Sequence, residues 1–373
     1  MWRTLKTCLI IERSNRSNLY SFLFVIALIV GFMYIASDDN FKNPLSESTS
    51  EYQSTSSAIS KFQVVDVVDD TTEEDNIYGS LTRLRQAISL KLAAFKTDSE
   101  DMFYAAYKRI FKAREEIYAS EDYPIVRDLI PTEIHNDNER LLIETLQEKE
   151  ILYTQDPLHY WQFLLAIFAF IGIAWFPLLS FYTSGIMIED FRHSSILKGY
   201  PVRFSEYVIS KSFTKLLMIV GFIVLIFIVS LPLIHYKGIG VSDYPVVIYN
   251  GESVAYTIPQ FILLCVSIML IISIFTLLLS IIFNMVFKNM YITLFIEMLL
   301  FFLPIIFPSL VSLMPYNPFN FLNFNMILEG GSLMLTNPVD ITYKAGFIVL
   351  FICIAVMLLI VRRFLSTGKL TRA

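Results

Sequence analysis

The chain has 373 residues, a length that would ordinarily make two or three soluble domains. However, 55% of the residues are hydrophobic and only 17% are charged, and the mean hydropathy is +0.57. This composition excludes an ordinary soluble protein and indicates an integral membrane protein. The formal charge of −5 is unevenly distributed, because residues 37–157 hold 13 Lys and Arg against 25 Asp and Glu, whereas the rest holds 16 against 9. An acidic segment therefore interrupts a basic chain.

Cysteine and histidine usage gives no sign of a disulfide framework or a metal site. Cys8, Cys265 and Cys353 all lie outside residues 37–157, so that segment cannot contain a disulfide. The four histidines are far apart in the sequence, and no metal-ligand spacing is present. We therefore expect the acidic segment to fold by packing, and we expect no metal or cofactor in this chain.

Six apolar stretches are long enough to cross a hydrocarbon core of about 30 Å as helices. They lie at 19–36, 158–183, 214–234, 259–286, 290–312 and 345–362. The first follows two arginines and could be mistaken for a signal peptide. Its apolar run is longer than a usual signal-peptide core, and the sequence SDDNF after it is a poor cleavage site. We therefore interpret it as a retained anchor.

Lysine and arginine in the short connections predict the orientation, because basic flanks remain on the cytoplasmic side. Fourteen of these residues fall in the N-terminal segment, the loop after the second span, the connection at Lys288 and the C-terminal tail. The short loops of the opposite side contribute only Lys237 and Lys344. Both termini, including the tail 363–373, are thus predicted to be cytoplasmic, and residues 37–157 extracellular. We interpret the chain as a multi-pass protein of a cell membrane, with a bacterial plasma membrane as the expected location.

The predicted extracellular segment begins with a linker and continues with helices. Residues 37–60 are rich in Ser, Thr, Asn and Asp, a composition typical of a poorly ordered linker. Apolar residues then follow helical spacing over 81–95 and 103–118, and a third helix is predicted at about 137–153, with a break or kink at Pro157. This helical domain either contacts a substrate or partner, or is a spacer packed on its own apolar stripes.

The start of the second of these helices has a recognisable signal. Thr97 and Glu100 form a T-x-x-E capping box, in which a threonine hydroxyl and a carboxylate satisfy free backbone amides. The sequence therefore predicts Thr97 as the residue that caps this helix.

The segment 189–213, EDFRHSSILKGYPVRFSEYVISKSF, directly follows the second predicted span. It predicts a short amphipathic helix that ends at Gly199 and Pro201, since glycine is favoured just past a helix and proline cannot continue one. A second helix then enters the third span. The predicted result is a rigid elbow beneath the membrane.

This segment resembles the same region of the permease subunit of ABC type-2 exporters. That family carries an acidic pair, a small-residue and leucine stretch, a break with Pro-Val, a basic residue and a lysine before the third span. The matching positions here are Glu189, Asp190, Ser195, Leu197, Pro201, Val202, Arg203 and Lys211. The family's Gly-Thr is missing, and His193, Ser194 and Ser195 stand in its place.

The resemblance extends to the rest of the topology. The family has six spans with both termini inside, a basic N-terminal segment on the membrane and a polar re-entrant region before the last span. The corresponding segments are the predicted amphipathic elbow at 1–18 and the predicted extracellular re-entrant region at 313–344, which contains PYNPFNFLNFNMILEGG. The implied fold class is an all-α integral membrane protein with six transmembrane helices and a helical extracellular domain between the first and second.

The resemblance also implies partners and site residues. The region 184–213 would couple to a cytoplasmic ABC ATPase, and two permeases, identical or related, would pair in the lipid bilayer. The residues implied in coupling are Glu189, Asp190, Leu197, Gly199, Pro201 and Arg203. No nucleic-acid partner is expected.

The C-terminal tail contains STGKL but does not form a P-loop. A P-loop has the pattern G-x-x-x-x-G-K-[ST], so that backbone amides cradle phosphate and the lysine reaches it. Arg363 stands in place of the first glycine and Leu370 in place of the Ser or Thr. The chain is therefore predicted not to be an enzyme, and ATP is expected on a partner subunit.

Glu297 lies inside the fifth predicted span, where an ionisable side chain is costly and is a functional candidate. It could line a translocation path or face a partner helix. Alternatively, it could be shallow enough to be hydrated or to pair with Lys288. Pro304 and Pro308 predict that the same helix is bent or broken.

Three functions compete at this stage. The leading one is the exporter permease, which moves cargo outward, with a peptide or antimicrobial as the favoured cargo. The alternative is a non-transporting membrane sensor or scaffold with a ligand-binding ectodomain. An intramembrane enzyme would need paired catalytic groups within the spans, and Glu297 has no evident partner of that kind.

Overall fold

The computed structural model describes residues 2–38, 41, 43–62, 77–192, 203–334 and 339–366. Helices make up 79% of them. The chain divides into two compact units. The first, here called the apolar unit, consists of Met1–Tyr34, Leu158–Ser242 and Ile258–Ala373. The second, here called the acidic unit, consists of Ile35–Pro157 and Asp243–Thr257.

The described α-helices are numbered in chain order. They are α1 (Trp2–Ser14), α2 (Arg16–Ala36), α3 (Pro44–Phe62), α4 (Ile77–Thr97), α5 (Glu100–Tyr118), α6 (Tyr123–Val126), α7 (Glu133–Glu148), α8 (Tyr160–Thr183), α9 (Ile188–Arg192), α10 (Phe204–Ser230), α11 (Pro232–Tyr236), α12 (Ile258–Phe287), α13 (Met290–Ile306), α14 (Pro308–Leu313), α15 (Phe324–Leu328) and α16 (Tyr343–Ser366). Two 3₁₀ turns lie at Pro318–Phe321 and Gly331–Met334, and two strands are β1 (Pro245–Tyr249) and β2 (Ser253–Thr257).

Five of the described helices are long and apolar enough to cross a membrane: α2, α8, α10, α12 and α16. These five confirm five of the six predicted spans, and they make a multi-pass membrane protein plausible. The remaining predicted span, at 290–312 and the fifth in chain order, is observed as two shorter helices. Helix α13 has 17 residues, and Phe307 separates it from α14. No single described helix at this position is long enough to cross a membrane by itself.

The two prolines of that segment explain its interruption. Pro304 lies within the last turn of α13 without ending it. Pro308 has no N–H to continue the helical hydrogen bonds, and the preceding residue is biased away from helical backbone angles. Phe307 accordingly has φ −121° and ψ 75°. The predicted break in this helix is confirmed, and it follows from Pro308.

The region between α14 and α16 is a series of short turns held against the long helices. Phe321 packs against Gly346 of α16, where a Cβ atom would lie 2.5 Å from the Phe321 ring. Asn325 of α15 packs against Gly172 of α8. A Cβ atom added at Gly172 would lie 2.9 Å from the Cβ atom of Asn325. Glycine thus permits two close approaches that a larger residue would prevent.

The acidic unit contains α3 to α7, and its first helix corrects the sequence analysis. Residues 37–60 were predicted to be a poorly ordered linker, but Pro44–Phe62 forms α3 and buries Ala58, Ile59 and Phe62. Serine and threonine usually disfavour a helix by bonding the backbone in other conformations. Here their hydroxyls donate to carbonyls three or four residues earlier, as Thr49 does to Leu45 at 2.6 Å.

The next two helices confirm the predicted helical periodicity, with one change at their junction. Thr97 does not cap α5, because it is the last residue of α4 and its hydroxyl donates to the Ala93 carbonyl at 3.0 Å. Ser99 is the cap, and its side chain accepts from the Met102 amide. The predicted capping box is therefore wrong by two residues.

The third predicted helix, at 137–153, is observed as Glu133–Glu148. It ends before the second span because Glu150 has φ +53°, a left-handed conformation that a helix cannot continue through. The two strands form an antiparallel hairpin in which Val247 pairs with Ala255. This hairpin makes the predicted all-α class wrong in one element.

The acidic unit also buries a four-residue ion network between its helices. Arg114 on α5 pairs with Glu51 on α3 at 2.6 Å and with Glu139 on α7 at 2.7 Å. Lys91 on α4 lies 3.3 Å from Glu51 and 3.8 Å from Glu139. Two cations thus balance two carboxylates, and the network joins four helices.

Candidate functional site

Two buried polar clusters lie within the apolar unit, and the first is charged. It consists of Asp190 on α9, Lys211 and Lys215 on α10, and Glu12 on α1, and we call it the charged cluster. All four residues are at most 9% exposed. Lys211 and Lys215 are four residues apart, which places them on one face of α10. The cluster therefore brings two cations and two carboxylates to one helix face.

Asp190 and Lys211 form one half of the charged cluster. The Lys211 ammonium lies 2.7 Å from Oδ2 of Asp190. The Tyr207 hydroxyl donates to Oδ1 of the same carboxylate at 2.9 Å. Both oxygens of Asp190 are thus occupied by donors from α10. This pair fixes the helix before residues 193–202 to the helix after them.

Glu12 and Lys215 form the other half. Their charged atoms are 3.0 Å apart. Asn18 on α2 joins them, because its amide donates to Glu12 at 2.7 Å and its carbonyl accepts from Lys215 at 3.0 Å. The Tyr182 hydroxyl on α8 also donates to Asn18 at 3.1 Å. The amphipathic N-terminal helix is thereby tied to the start of α2, to the end of α8 and to the first half of α10.

The predicted coupling residues have different positions in the structure. Asp190 is buried in the charged cluster, whereas Glu189 and Arg203 are exposed at the ends of α9 and α10. Leu197, Gly199 and Pro201 lie outside the described residues, as do His193, Ser194, Ser195 and Val202. The parts of the motif that the structure describes thus divide into a buried pair, Asp190 with Lys211, and two exposed charges.

The second cluster is uncharged except for Glu297, and we call it the hydroxyl seam. It is built from polar residues spaced three or four apart on three apolar helices, so that each set lies on one helix face. The seam consists of Ser180, Thr183 and Ser184 around the end of α8, Ser280 and Asn284 on α12, and Thr293 and Glu297 on α13. All are at most 1% exposed.

Glu297 is held in the seam by hydroxyl groups. The Ser280 hydroxyl donates to Oε1 of Glu297 at 2.7 Å and is itself 2.8 Å from the Thr183 hydroxyl. Among the described residues, neither the second carboxyl oxygen, Oε2, nor the Ser180 hydroxyl forms a hydrogen bond of good geometry, although both are buried and Ser180 lies close enough to interact with Glu297. The interpretation of Glu297 as a shallow, hydrated residue is wrong, because it is fully buried while Lys288 is exposed.

Asn284 completes the seam at its other end. Its side-chain amide donates to the carbonyls of Ser184 and Ser280, at 2.7 Å each, and to the Thr293 hydroxyl at 3.3 Å. Its carbonyl accepts from the Met187 amide at 3.3 Å. The seam therefore joins α8, α12 and α13 by side-chain hydrogen bonds.

Sequence reasoning identified Glu297, Asp190 and Lys211, but it missed Glu12, Lys215 and the hydroxyl donors of the seam. Lys215 was counted only for orientation, although it lies at the start of an apolar run where a lysine needs a partner. Among the described residues, no group of three or more His, Cys, Asp and Glu could hold a metal ion. No protein-family model, curated protein or solved structure matches this chain.

Proposed function

We propose that this chain is the membrane-spanning permease subunit of an ABC type-2 exporter. It moves cargo outward across a bacterial plasma membrane and uses ATP hydrolysed by a separate cytoplasmic subunit. The observation that carries the proposal is the buried pair between Asp190, which belongs to the acidic pair that opens the coupling motif, and Lys211, which closes it. Five long apolar helices and an amphipathic first helix support the same assignment.

The Asp190–Lys211 pair supports coupling because a loop transmits force only when its ends are held. Residues 191–210 lie between two residues whose charged atoms are 2.7 Å apart in a buried setting. A buried ion pair resists separation, because breaking it leaves a charge without a partner. A push on the intervening segment would therefore be passed to α8 and α10 together.

The exposed Glu189 and Arg203 fit the contact with the ATPase in this proposal. Glu189 directly precedes Asp190, Arg203 directly precedes α10, and both are exposed. The charged cluster would extend the coupling to α1 through Glu12 and Lys215. We also propose that a second permease copy, or a related chain, completes the pathway, and that Glu297 lines it or faces that partner.

Co-purification from the native membrane tests the proposal. The tagged chain should capture an ABC ATPase, and the complex should hydrolyse ATP in a vanadate-sensitive manner. The double variant Glu189→Ala/Arg203→Ala should reduce captured ATPase about ten-fold, the scale on which two lost interfacial charge contacts act. The matched control is Arg362→Ala, which removes an exposed charge near the end of α16.

The outcomes separate the function from the residue assignment. If the wild-type chain captures no ABC ATPase, the permease proposal fails and a non-transporting membrane sensor or scaffold is favoured. If the double variant captures as much ATPase as Arg362→Ala does, the permease assignment stands but the contact residues are wrong.

A further inference from the structure

A groove opens on the acidic unit at the corner where α4 ends and α5 begins. It is a shallow depression that is open to solvent, not an enclosed cavity. Phe95, Phe103, Tyr104 and Tyr153 contribute aromatic rings to its lining, and Leu152 adds an aliphatic side chain that is 57% exposed. Phe103 is buried in the core of the acidic unit, whereas Phe95, Tyr104 and Tyr153 are partly exposed. The part of the groove that water reaches is therefore formed by the edges of these three rings and by Leu152.

The aromatic lining is a mutually packed set of rings. The ring centroids of Phe95 and Phe103 are 5.4 Å apart, and those of Phe103 and Tyr153 are 4.9 Å apart. Phe95 and Tyr153 complete the triangle at 5.9 Å. Tyr104 adds an edge-to-face contact with Phe103 at 5.4 Å. Rings that hold one another in this way offer a surface that needs little ordering on binding.

Two carboxylates, Asp98 and Glu100, lie in the same lining. Neither forms an ion pair with any described residue. The backbone between them is fixed, since Asp98 has φ +51° and the Ser99 amide donates to the Ala94 carbonyl at 3.1 Å. The groove thus combines an aromatic surface with two negative charges whose backbone positions are defined.

Tyr104 shows that the charges and the rings are close to each other. Burial, and then the negative charge of Glu100, raises the pKa of the Tyr104 hydroxyl above its ordinary value of 10.0. The hydroxyl is therefore neutral at physiological pH and remains a hydrogen-bond donor. An aromatic face next to a carboxylate is suited to a cation, because the ring quadrupole and the carboxylate attract the same charge.

We propose that this groove binds a basic peptide segment in which arginine or lysine alternates with aromatic or aliphatic residues. The cation would lie between Asp98, Glu100 and the Tyr104 ring, and the neighbouring apolar side chain would lie on Phe95, Tyr153 and Leu152. The charge of the acidic unit favours the same ligand, because the described residues of 37–157 hold 18 Asp and Glu against 12 Lys and Arg.

Only one part of this inference rests on the proposed function. If the chain is an exporter permease, basic peptides that bind the groove are its cargo. The binding step itself needs no ATPase. It can therefore be measured on the full chain alone, in nanodiscs made of phosphatidylcholine, a lipid without net charge.

The probe is a fluorescent hexapeptide amide of alternating arginine and tryptophan, followed by anisotropy against empty nanodiscs. We expect saturable binding, and we expect the matching glutamate–tryptophan peptide not to bind. The double variant Asp98→Asn/Glu100→Gln should raise the Kd at least about ten-fold, and Tyr104→Ala should raise it about five-fold at constant charge. The matched control is Glu121→Gln/Asp122→Asn, which removes two charges from another exposed corner of the acidic unit.

Specific outcomes overturn this inference. They are an absence of saturable binding, an unchanged Kd in the groove variants, or a control variant that weakens binding as much as the groove variant does. Failure here, with an ABC ATPase still captured, would reject the cargo class and leave the permease proposal in place. Saturable, groove-dependent binding by a chain that captures no ABC ATPase would support the peptide site and reject the permease proposal.

Discussion

The ion network of the acidic unit and the hydroxyl seam of the apolar unit bury polar side chains in opposite ways. The acidic unit holds Arg114 and Lys91 against Glu51 and Glu139, so that charge balances charge. The hydroxyl seam of the apolar unit holds a single carboxyl, Glu297, with hydroxyl groups and no described cation. Replacing one partner of a polar contact should therefore lower the stability of the fold strongly in the acidic unit and weakly in the seam.

The largest effect is expected from Arg114→Met. Arg114 is 1% exposed and also donates to the Asn136 side chain at 3.1 Å. Its removal leaves Glu51 and Glu139, whose side chains are only 13% and 15% exposed, with Lys91 as their one remaining cation in the network. Breaking a buried pair of this kind costs about 3–5 kcal/mol. Thermal unfolding of the full chain, followed by proteolysis of the acidic unit, should show a large loss of stability.

Arg83→Met is the matched control for that prediction. Arg83 pairs with Glu116 at 2.8 Å, but the two side chains are 43% and 33% exposed. Exposed pairs contribute less than about 1 kcal/mol. Equal losses from the two arginine variants would contradict the difference between buried and exposed charge on which the comparison depends.

A somewhat smaller effect is expected from acid. Burial alone would raise the pKa of Glu139, but the charges of Arg114 and Lys91 outweigh burial and lower this pKa to about 2 from an ordinary value of 4.5. A carboxyl with a lowered folded-state pKa contributes stability that is fully present above about pH 4.5 and is lost as the pH falls towards about 2.

The acid contribution of Glu139 is on the order of 3 kcal/mol. It can be measured as the pH dependence of denaturant unfolding of the acidic unit within the full chain. Glu139→Gln cannot titrate, so its stability should change less between pH 5 and about pH 2 than that of the wild type. If the two proteins lose the same free energy of unfolding between pH 5 and about pH 2, Glu139 does not provide this pH dependence.

The sequence predicted the parts of the fold that depend on local periodicity. Apolar runs predicted five long helices, and helical spacing predicted α4 and α5, because each of these signals lies within one element. The α3 prediction failed for the opposite reason. Its polar composition is typical of a linker, and its helix is stabilised by partners far away in sequence, such as Arg114 and Lys91 for Glu51.

The hairpin was a signal that could have been found. Asn250-Gly251 is a typical turn sequence between the residues PVVIY and SVAYT, which are rich in β-branched and aromatic side chains. Gly251 has φ +83°, a left-handed conformation that glycine adopts readily. The segment was treated only as a short loop between two spans, so its internal pattern was not considered.

The candidate site was predictable only where charge stood out against an apolar background. Glu297 and the Asp190 motif were recognised in that way, but the sequence could not show that Ser280 faces Glu297 or that Lys211 reaches Asp190. Serine and threonine are common in apolar helices, where they also donate to their own backbone carbonyls, as Thr276 does at 2.8 Å. Their partners are set by helix packing, which periodicity does not encode.

The smallest effect is expected at Glu297, where Leu and Gln variants separate hydrogen bonding from shape. Glu297→Leu leaves the Ser280 hydroxyl without its acceptor and should cost about 0.5–2 kcal/mol, the usual scale of a hydrogen bond between apolar helices. Glu297→Gln keeps that acceptor, and its amide can donate to the neighbouring Ser180 hydroxyl. The Gln variant should therefore unfold within about 0.5 kcal/mol of the wild type.

Thermal unfolding in detergent, read by size-exclusion of the fluorescently tagged chain, measures this Glu297 difference. Tyr291→Leu is the matched control, since Tyr291 is 74% exposed on the same helix. If the Gln and Leu variants lose stability equally, the seam depends on the charge of Glu297 rather than on its acceptor oxygen. A network of charges would then hold α13, and the contrast with the acidic unit would disappear.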